Sequence, residues 1–429
     1  MNSLTQPVRQ AVAATQPIWQ GNPVDKPAVG TGRGLPLDLQ LHAKRGRGGM
    51  EWLWFGDRQL GWRDGLPFKF GAQARGGSVV LTPTDRTWID RLMPEGKDEC
   101  QRLTPAIHSF WFGYNERINE PAAMPGAPVV NYTERRLLTL VRWAQGYFDT
   151  DRQRSYCTGG SMGGCGTISF GFRHPEIFAA CSAIVPIVAF DRGPGGDSAM
   201  RIEVECGGLE ALTSAGLPVK EHLDSTRFAT QHPDDLPFLF IVTGRNDSSI
   251  PWWKNPAFYR ALRDGRHGFI AAWNEGAHGD TQAKLPPDLA QRASLAWLHR
   301  FALDQSYLAF SNSSADDDPG QGGKSEGTPA GAFNRGLDFE PPVESSTSYE
   351  AAVLWYLEPA RLPVTVDITP RRRQQFRPAP GTRVFAENVG ADGVVTQRIE
   401  TTVAPAGTLT VPGFSLTSAR QMLRLRLAE

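Results

Sequence analysis

Ser161, Asp247 and His278 lie far apart in the chain, but they are the residue types that acyl-transfer chemistry requires together. Ser161 stands in Gly159-Gly160-Ser161-Met162-Gly163, within the run SYCTGGSMGGCGTISFGF. A β-rich run enters this segment and a helical pattern leaves it, the context in which G-x-S-x-G exposes a serine on a tight turn. The flanking glycines remove Cβ atoms that would collide with neighbouring backbone. The helix that follows aims its N-terminus at the reacting centre, and the main-chain N–H of Met162 is placed to donate to a developing oxyanion. The competing use of such a turn is a phosphate loop. That needs Lys and then Ser or Thr after the glycines, and Cys165-Gly166-Thr167 supplies no lysine.

A serine hydroxyl is a weak nucleophile unless a histidine takes its proton and a carboxylate orients that histidine. The run LPFLFIVTG (236–244) reads as a strand and leads into Arg245-Asn246-Asp247-Ser248, so Asp247 sits just past a strand end. GFIAAW (268–273) leads in the same way into Asn274-Glu275-Gly276-Ala277-His278-Gly279, placing His278 31 residues after the acid and 117 after Ser161. Parallel strands joined by helical crossovers bring their carboxyl ends to one edge. The other histidines fit the role less well: His108 precedes the serine, His174 closes a helix and His267 precedes a strand, while His222, His232 and His299 lie in helical or lid-like contexts. Glu275 and Asp280 are too close in sequence to His278 to reach its ring easily.

The elements that must carry these residues follow from periodicity. LPLDLQLHA (35–43), GSVVLTP (77–83), SYCTG (155–159) and CSAIVPIVA (181–189) join the two runs above as expected strands. Between them, 131–148, 163–172, 255–265 and 286–303 read as helices, the first with Leu137, Leu138, Val141 and Ala144 on one stripe. Near-continuous apolar strands interleaved with helices predict an α/β domain with a mostly parallel sheet covered by helices on both faces. The expected division is a polar arm at 1–35, a catalytic domain at 36–305 with a lid or binding insertion at about 190–235, a Gly/Ser/Asp/Pro-rich linker at 306–345, and a small all-β sandwich at 346–429. Within the linker, Asp316, Asp317 and Asp318 read as a solvated triplet rather than a calcium site. Arg371, Arg372 and Arg373 read as an exposed turn of the sandwich.

Composition narrows the classes. Of 429 residues, 45 are Lys or Arg and 45 are Asp or Glu, which argues against a general nucleic-acid-binding surface. The 45 glycines and 33 prolines exclude a chain that is mostly coiled coil or helical bundle. Five cysteines form neither a disulfide framework nor a CxxC zinc site. No apolar stretch is long enough to span a membrane, and the N-terminus lacks the apolar core of a secretory signal. The expected location is therefore cytoplasmic as written, or secreted if a leader has been removed.

The run GGSMGG, the later HPEIFAA, the acid loop GRNDSSIP and the histidine loop GAHG resemble the α/β-hydrolase superfamily. They are most similar to polyhydroxybutyrate depolymerase-like and feruloyl esterase-like enzymes, with the prolyl oligopeptidase group as neighbour. The resemblance covers roughly 36–305 and implies Ser161 as nucleophile, His278 as general base and then acid, and Asp247 as the orienting carboxylate. It also implies a second oxyanion N–H from the loop after the third strand. Two registers compete for that loop. In the preferred one LQLHAKRGRGG is the strand and loop, His42-Ala43 replaces the usual His-Gly, and Lys44 or a neighbour donates. In the other, 35–43 and MEWLWF (50–55) form a leading hairpin, and Thr84 or Asp85 donates after 77–83.

Trp111 and Tyr114 in HSFWFGYN, and Trp252 and Trp253 after the acid loop, are the candidate substrate-binding aromatics. The favoured expectation is a serine carboxylic ester hydrolase that uses no metal or cofactor. Its partner is an ester substrate, with polymeric, carbohydrate-linked and aryl esters as candidates. Two alternatives stand beside it: a prolyl oligopeptidase-like peptidase, disfavoured by the lack of a long N-terminal propeller, and a catalytically silent protein that binds through the C-terminal sandwich. Oligomeric state is not legible.

Overall fold

The computed structural model describes residues 17–41, 52–55, 67–85, 109–190 and 197–428, which form two compact units. The first takes in the described residues up to Arg173 with 181–225 and 248–250; the second takes in 174–180, 226–247 and 251 onward.

The strands of the first unit are β1 (Ile18–Trp19), β2 (Leu37–Leu41), β3 (Trp52–Phe55), β4 (Pro67–Arg75), β5 (Ser78–Pro83), β6 (Tyr114–Asn115), β7 (Val129–Val130), β8 (Ser155–Gly160) and β9 (Ala180–Ile184). Its main sheet runs in the order β1-β3-β4-β5-β2-β8-β9, while β6 and β7 pair with each other. β2 is parallel to β5 and to β8, whereas β1, β3, β4 and β5 form an antiparallel meander. A leading hairpin of 35–43 with 50–55 is therefore overturned. Leu37, Leu39 and Leu41 are buried together with Asp38, burial that places β2 centrally, against the serine-bearing β8, rather than at an edge.

Helix Tyr132–Tyr147 buries Leu137, Leu140, Val141 and Ala144, so Leu140 and not Leu138 completes the inward stripe. The strand expected over 181–189 stops at Ile184. Val185 takes φ 44° and Pro186 has no N–H to continue a ladder. The insertion that follows carries helices Asp197–Cys206 and Val219–His222, and it packs Ile202, Cys206, Leu209, Val219 and Leu223 into one apolar cluster with Phe110, Phe112 and Met162.

In the second unit, β10 (Phe238–Gly244) and β11 (Phe269–Asn274) run parallel and are buried at every residue, so both faces are covered. The helix expected over 286–303 forms two short pieces, Pro287–Arg292 and Leu295–Leu298, with Ser294 capping the second through the Trp297 N–H at 3.3 Å. The remaining strands are β12 (Tyr307–Ser311), β13 (Gly331–Phe333), β14 (Leu337–Phe339), β15 (Val343–Glu344), β16 (Ser348–Trp355), β17 (Val364–Arg371), β18 (Arg383–Val389), β19 (Val395–Thr402), β20 (Val411–Leu416) and β21 (Arg420–Leu427). They build antiparallel sheets β12-β17-β20 and β14-β16-β21-β18-β19. Alternation of buried Val364, Val366 and Ile368 on β17, and of Leu423 and Leu425 on β21, gives each sheet one inward face.

The segment 306–345 is built into this unit rather than spanning it as a linker. β12, β14 and β15 join the antiparallel sheets, and β13 pairs with β11. Of the Asp triplet, Asp316 and Asp317 are partly buried and support that path from within, whereas Asp318 is exposed as expected. Asp316 accepts from the Asn334 N–H at 2.7 Å, Asp317 from Ala332 at 2.9 Å and Asp318 from Gly320 at 2.9 Å. Burial pushes the Asp316 carboxyl up to about 7.

The basic run is likewise not an exposed turn. Arg371 and Arg372 are buried, and the Arg372 guanidinium donates to the carbonyls of Ala179 at 2.8 Å and Phe178 at 3.1 Å, while its N–H meets Asp235 at 2.9 Å. Arg371 pairs with Asp235 at 2.8 Å. These bonds tie the end of β17 to the segments that lead into β9 and β10. Arg372→Ala strands buried carbonyls and is expected to lower the unfolding free energy by about 2–4 kcal/mol. Urea melts compared with Arg372→Gln check this: an unchanged midpoint in both variants contradicts it.

Candidate active site

β8 ends at Gly160, and Ser161 then takes φ 56°, ψ −121° before helix Met162–Ser169 begins. A non-glycine residue in this region costs about 1–2 kcal/mol and needs support from its surroundings. The Ser161 N–H donates to Ile184 O of β9 at 2.9 Å, and Ser161 O accepts from the Cys165 N–H at 2.9 Å. Gly159 is required by close approach: a Cβ there would lie 2.4 Å from the Gly163 backbone. The first N–H groups of the helix have no partner within it, and Met162 opens that turn.

In the second unit, Asp247 is buried just past β10, and its Oδ2 lies 2.7 Å from His278 Nδ1. The His278 side chain keeps about 31% of its surface exposed while the carboxylate keeps 1%, so the ring is held through Nδ1 by a group shut off from solvent. The two loops are stitched to each other. Arg245 N–H donates to Asn274 O at 2.8 Å, Asn246 N–H to Gly276 O at 3.1 Å, and the Asn246 amide to Glu275 O at 3.0 Å. Asn274 braces the histidine loop by accepting from the Gly276 N–H at 2.8 Å and donating to Thr281 O at 2.9 Å. Such doubly connected loops fix where the imidazole points.

One residue of this network was not legible as functional. The Arg245 guanidinium is buried and donates to the carbonyls of Thr328 at 2.6 Å, Gly323 at 3.3 Å, Lys324 at 2.5 Å and Glu326 at 2.5 Å. In sequence it is only the second residue of GRND, and its partners lie some 80 positions away.

Among the described histidines, His222 and His267 serve packing. Burial pushes both down to about 4; His222 lies against Phe112 with ring centres 4.3 Å apart, and His267 contacts Ala229 O at 2.8 Å. A buried neutral histidine contributes stability that is fully present above the unfolded value near 6.5 and is lost as pH falls toward the folded value. The urea midpoint should therefore fall between pH 6.5 and 4, and His267→Gln should flatten that slope; identical slopes would contradict the assignment. His174 faces Glu176 at 2.9 Å on the surface, and Asp280 pairs with Lys284 at 2.7 Å. His42 and His108 lie outside the described residues.

The aromatic expectation needs correction. Trp111, Tyr114 and Trp252 are buried: Trp111 donates to Met162 O at 2.7 Å, Tyr114 lies against Tyr132 at 5.0 Å, and Trp252 lies beneath Arg245 at 5.6 Å. Their indole and phenol surfaces are spent on packing, so they do not form an open rim. Trp253 stays half-buried, with Lys254 on its face at 4.2 Å. Lys44 lies outside the described residues. Thr84 and Asp85 are described and buried; Thr84 O accepts from Arg136 at 3.0 Å and Asp85 O from the Ser109 hydroxyl at 2.6 Å. Among the described residues, no group of three or more His, Cys, Asp or Glu could hold a metal ion, and no helix is long and apolar enough to cross a membrane.

Parallel strands that lead into a strained serine turn, an acid loop and a histidine loop are those of the α/β-hydrolase fold. Residues 135–302, which include Ser161, Asp247 and His278, match the Prolyl oligopeptidase family. Solved structures similar to the chain include Porphyromonas gingivalis dipeptidyl peptidase 4 (16% identity, TM-score 0.37, covering 63% of this chain and 32% of that one). Others are an S-formylglutathione hydrolase from Agrobacterium tumefaciens (17%, TM-score 0.37, 60% and 97%) and a ferulic acid esterase (16%, TM-score 0.35, 62% and 85%). The chain thus spans about a third of the length of the dipeptidyl peptidase. No curated protein matches it.

Proposed function

We propose that the protein hydrolyses carboxylic esters through an acyl-enzyme. Ser161 attacks the ester carbonyl as His278 takes its proton; the tetrahedral oxyanion is held by the Met162 N–H and a second main-chain donor. Collapse expels the alcohol, protonated by His278, and leaves Ser161 acylated. Water then attacks with His278 again as base, releasing the carboxylic acid and the free serine. Asp247 keeps the Nδ1 proton of His278 in place, so that Nε2 is the basic nitrogen. The observation that carries this reading is the 2.7 Å bond from His278 to a buried carboxylate, in a chain whose serine stands in a strained turn between strand and helix.

The family match over 135–302 favours a second reading, cleavage of peptide bonds by the same residues. Incubation with a fluorophosphonate probe, p-nitrophenyl butyrate and an aminoacyl p-nitroanilide, beside Ser161→Ala, separates them. Labelling and ester turnover that depend on Ser161, without anilide cleavage, support the ester reading. Anilide cleavage at comparable kcat/KM selects the peptidase, and no labelling removes both.

A further inference from the structure

We infer that Trp111 is a positioning residue for the oxyanion donor, an assignment that rests on Ser161 being the nucleophile. Phe110 and Trp111 are consecutive bulky residues with φ 48° and 64°. Each such residue costs about 1–2 kcal/mol, and strain of this kind persists where the surroundings over-determine it and tends to gather at functional sites. The surroundings here do so. The Ser109 N–H and hydroxyl both donate to Asp85 O, at 3.2 and 2.6 Å, and the Thr133 hydroxyl lies 2.7 Å from that of Ser109. The Ser169 hydroxyl donates to Phe110 O at 2.9 Å.

The strained pair has a definite result. It turns the Trp111 indole inward, fully buried, so that Nε1–H donates to Met162 O at 2.7 Å. The ring occupies the space that a side chain at position 166 would need: a Cβ on Gly166 would lie 2.4 Å from it. The peptide between Ser161 and Met162, which carries the proposed oxyanion N–H, is thereby held from both sides. Ser161 N is bonded to Ile184 O before it, and Met162 O to Trp111 after it. Fixing the Met162 carbonyl fixes the rotation of Met162 and so the direction of its N–H. A donor to an oxyanion works by being aimed before the charge arrives.

Trp111→Phe removes the N–H and keeps a ring. With p-nitrophenyl butyrate, kcat should fall roughly 10- to 100-fold with KM within about twofold, since aim at the transition state is lost and ground-state binding is not. Inhibition by phenylboronic acid, whose serine adduct is tetrahedral and anionic, should weaken by the same factor. A purely structural role would lower the melting temperature and leave kcat per labelled site and boronate inhibition unchanged, and that result overturns the assignment. Should Trp111→Phe not fold, Ser169→Ala loosens the Phe110 carbonyl while leaving the indole intact. It should give a smaller parallel loss in kcat and boronate inhibition; no loss in either is again contrary. Failure of the underlying reading is distinct: wild-type protein would then show no Ser161-dependent labelling or boronate inhibition.

Discussion

Ser161→Ala is expected to lower kcat for p-nitrophenyl butyrate by on the order of 10⁶-fold while leaving the thermal melt unchanged. The fold should tolerate the change because alanine carries the same Cβ as serine, so strain at φ 56° is unaltered, and the bonds from Ser161 N to Ile184 and from Cys165 to Ser161 O are main-chain. The chemistry should not, because no acyl-enzyme can form without the hydroxyl. His278→Ala should cost about as much as Ser161→Ala, and the double variant no more than either, since residues that act as one unit are not additive. A residual rate of about 10³–10⁴ over water is compatible with this, because binding and oxyanion stabilisation remain. If Ser161→Ala turns over esters at a tenth of the wild-type rate or better, another nucleophile is at work and the mechanism fails.

The second large effect is Asp247→Asn, for which a fall in kcat of about 10⁴-fold at neutral pH is expected. The side chains are nearly the same size, so the buried site beyond β10 stays filled. Yet an amide in place of Oδ2 can donate to His278 Nδ1, which moves the ring proton to Nε2 and removes the base from the serine. The carboxylate is buried and its loop is tied to Asn274, Gly276 and Glu275, so the exchange alters the partner of the imidazole without moving the loops. Measured kcat, with fluorophosphonate labelling rates as an independent readout, tests this. A loss of less than about tenfold in both would assign the orienting role elsewhere.

Much of the candidate site was legible from chain order. Local steric rules make a serine among glycines, entered by a strand and left by a helix, a recognisable turn, and the structure shows that turn with its φ of 56°. Asp247 and His278 were legible because each follows a continuous apolar run, and such runs become parallel buried strands whose ends carry polar loops. The aromatics were misjudged for the converse reason. Composition near strand ends is the same whether a ring lines a cleft or props a helix, and only packing distinguishes Trp111 beneath Met162 from an open rim.

The C-terminal part shows the same boundary more sharply. Alternating short runs after residue 346 announced antiparallel sheets, because period two is a property of the strand itself. What lay before and between them did not announce itself. Gly, Ser, Asp and Pro at 306–345 read as a linker, and three arginines read as an exposed turn. In the folded chain that segment supplies β13 to the strand beside the histidine loop and four carbonyls to Arg245, while Arg372 donates to carbonyls at 178 and 179. Sequence alone therefore determined the serine turn, the loops that carry Asp247 and His278 and the strands that lead into them, all of which depend on local sterics and hydrophobic period. Only the tertiary structure decided that the expected linker braces Arg245 and β11 and that the basic run is tied into the segments before β9 and β10, because hydrogen bonds to main-chain carbonyls leave no trace in the identity of the residues that accept them.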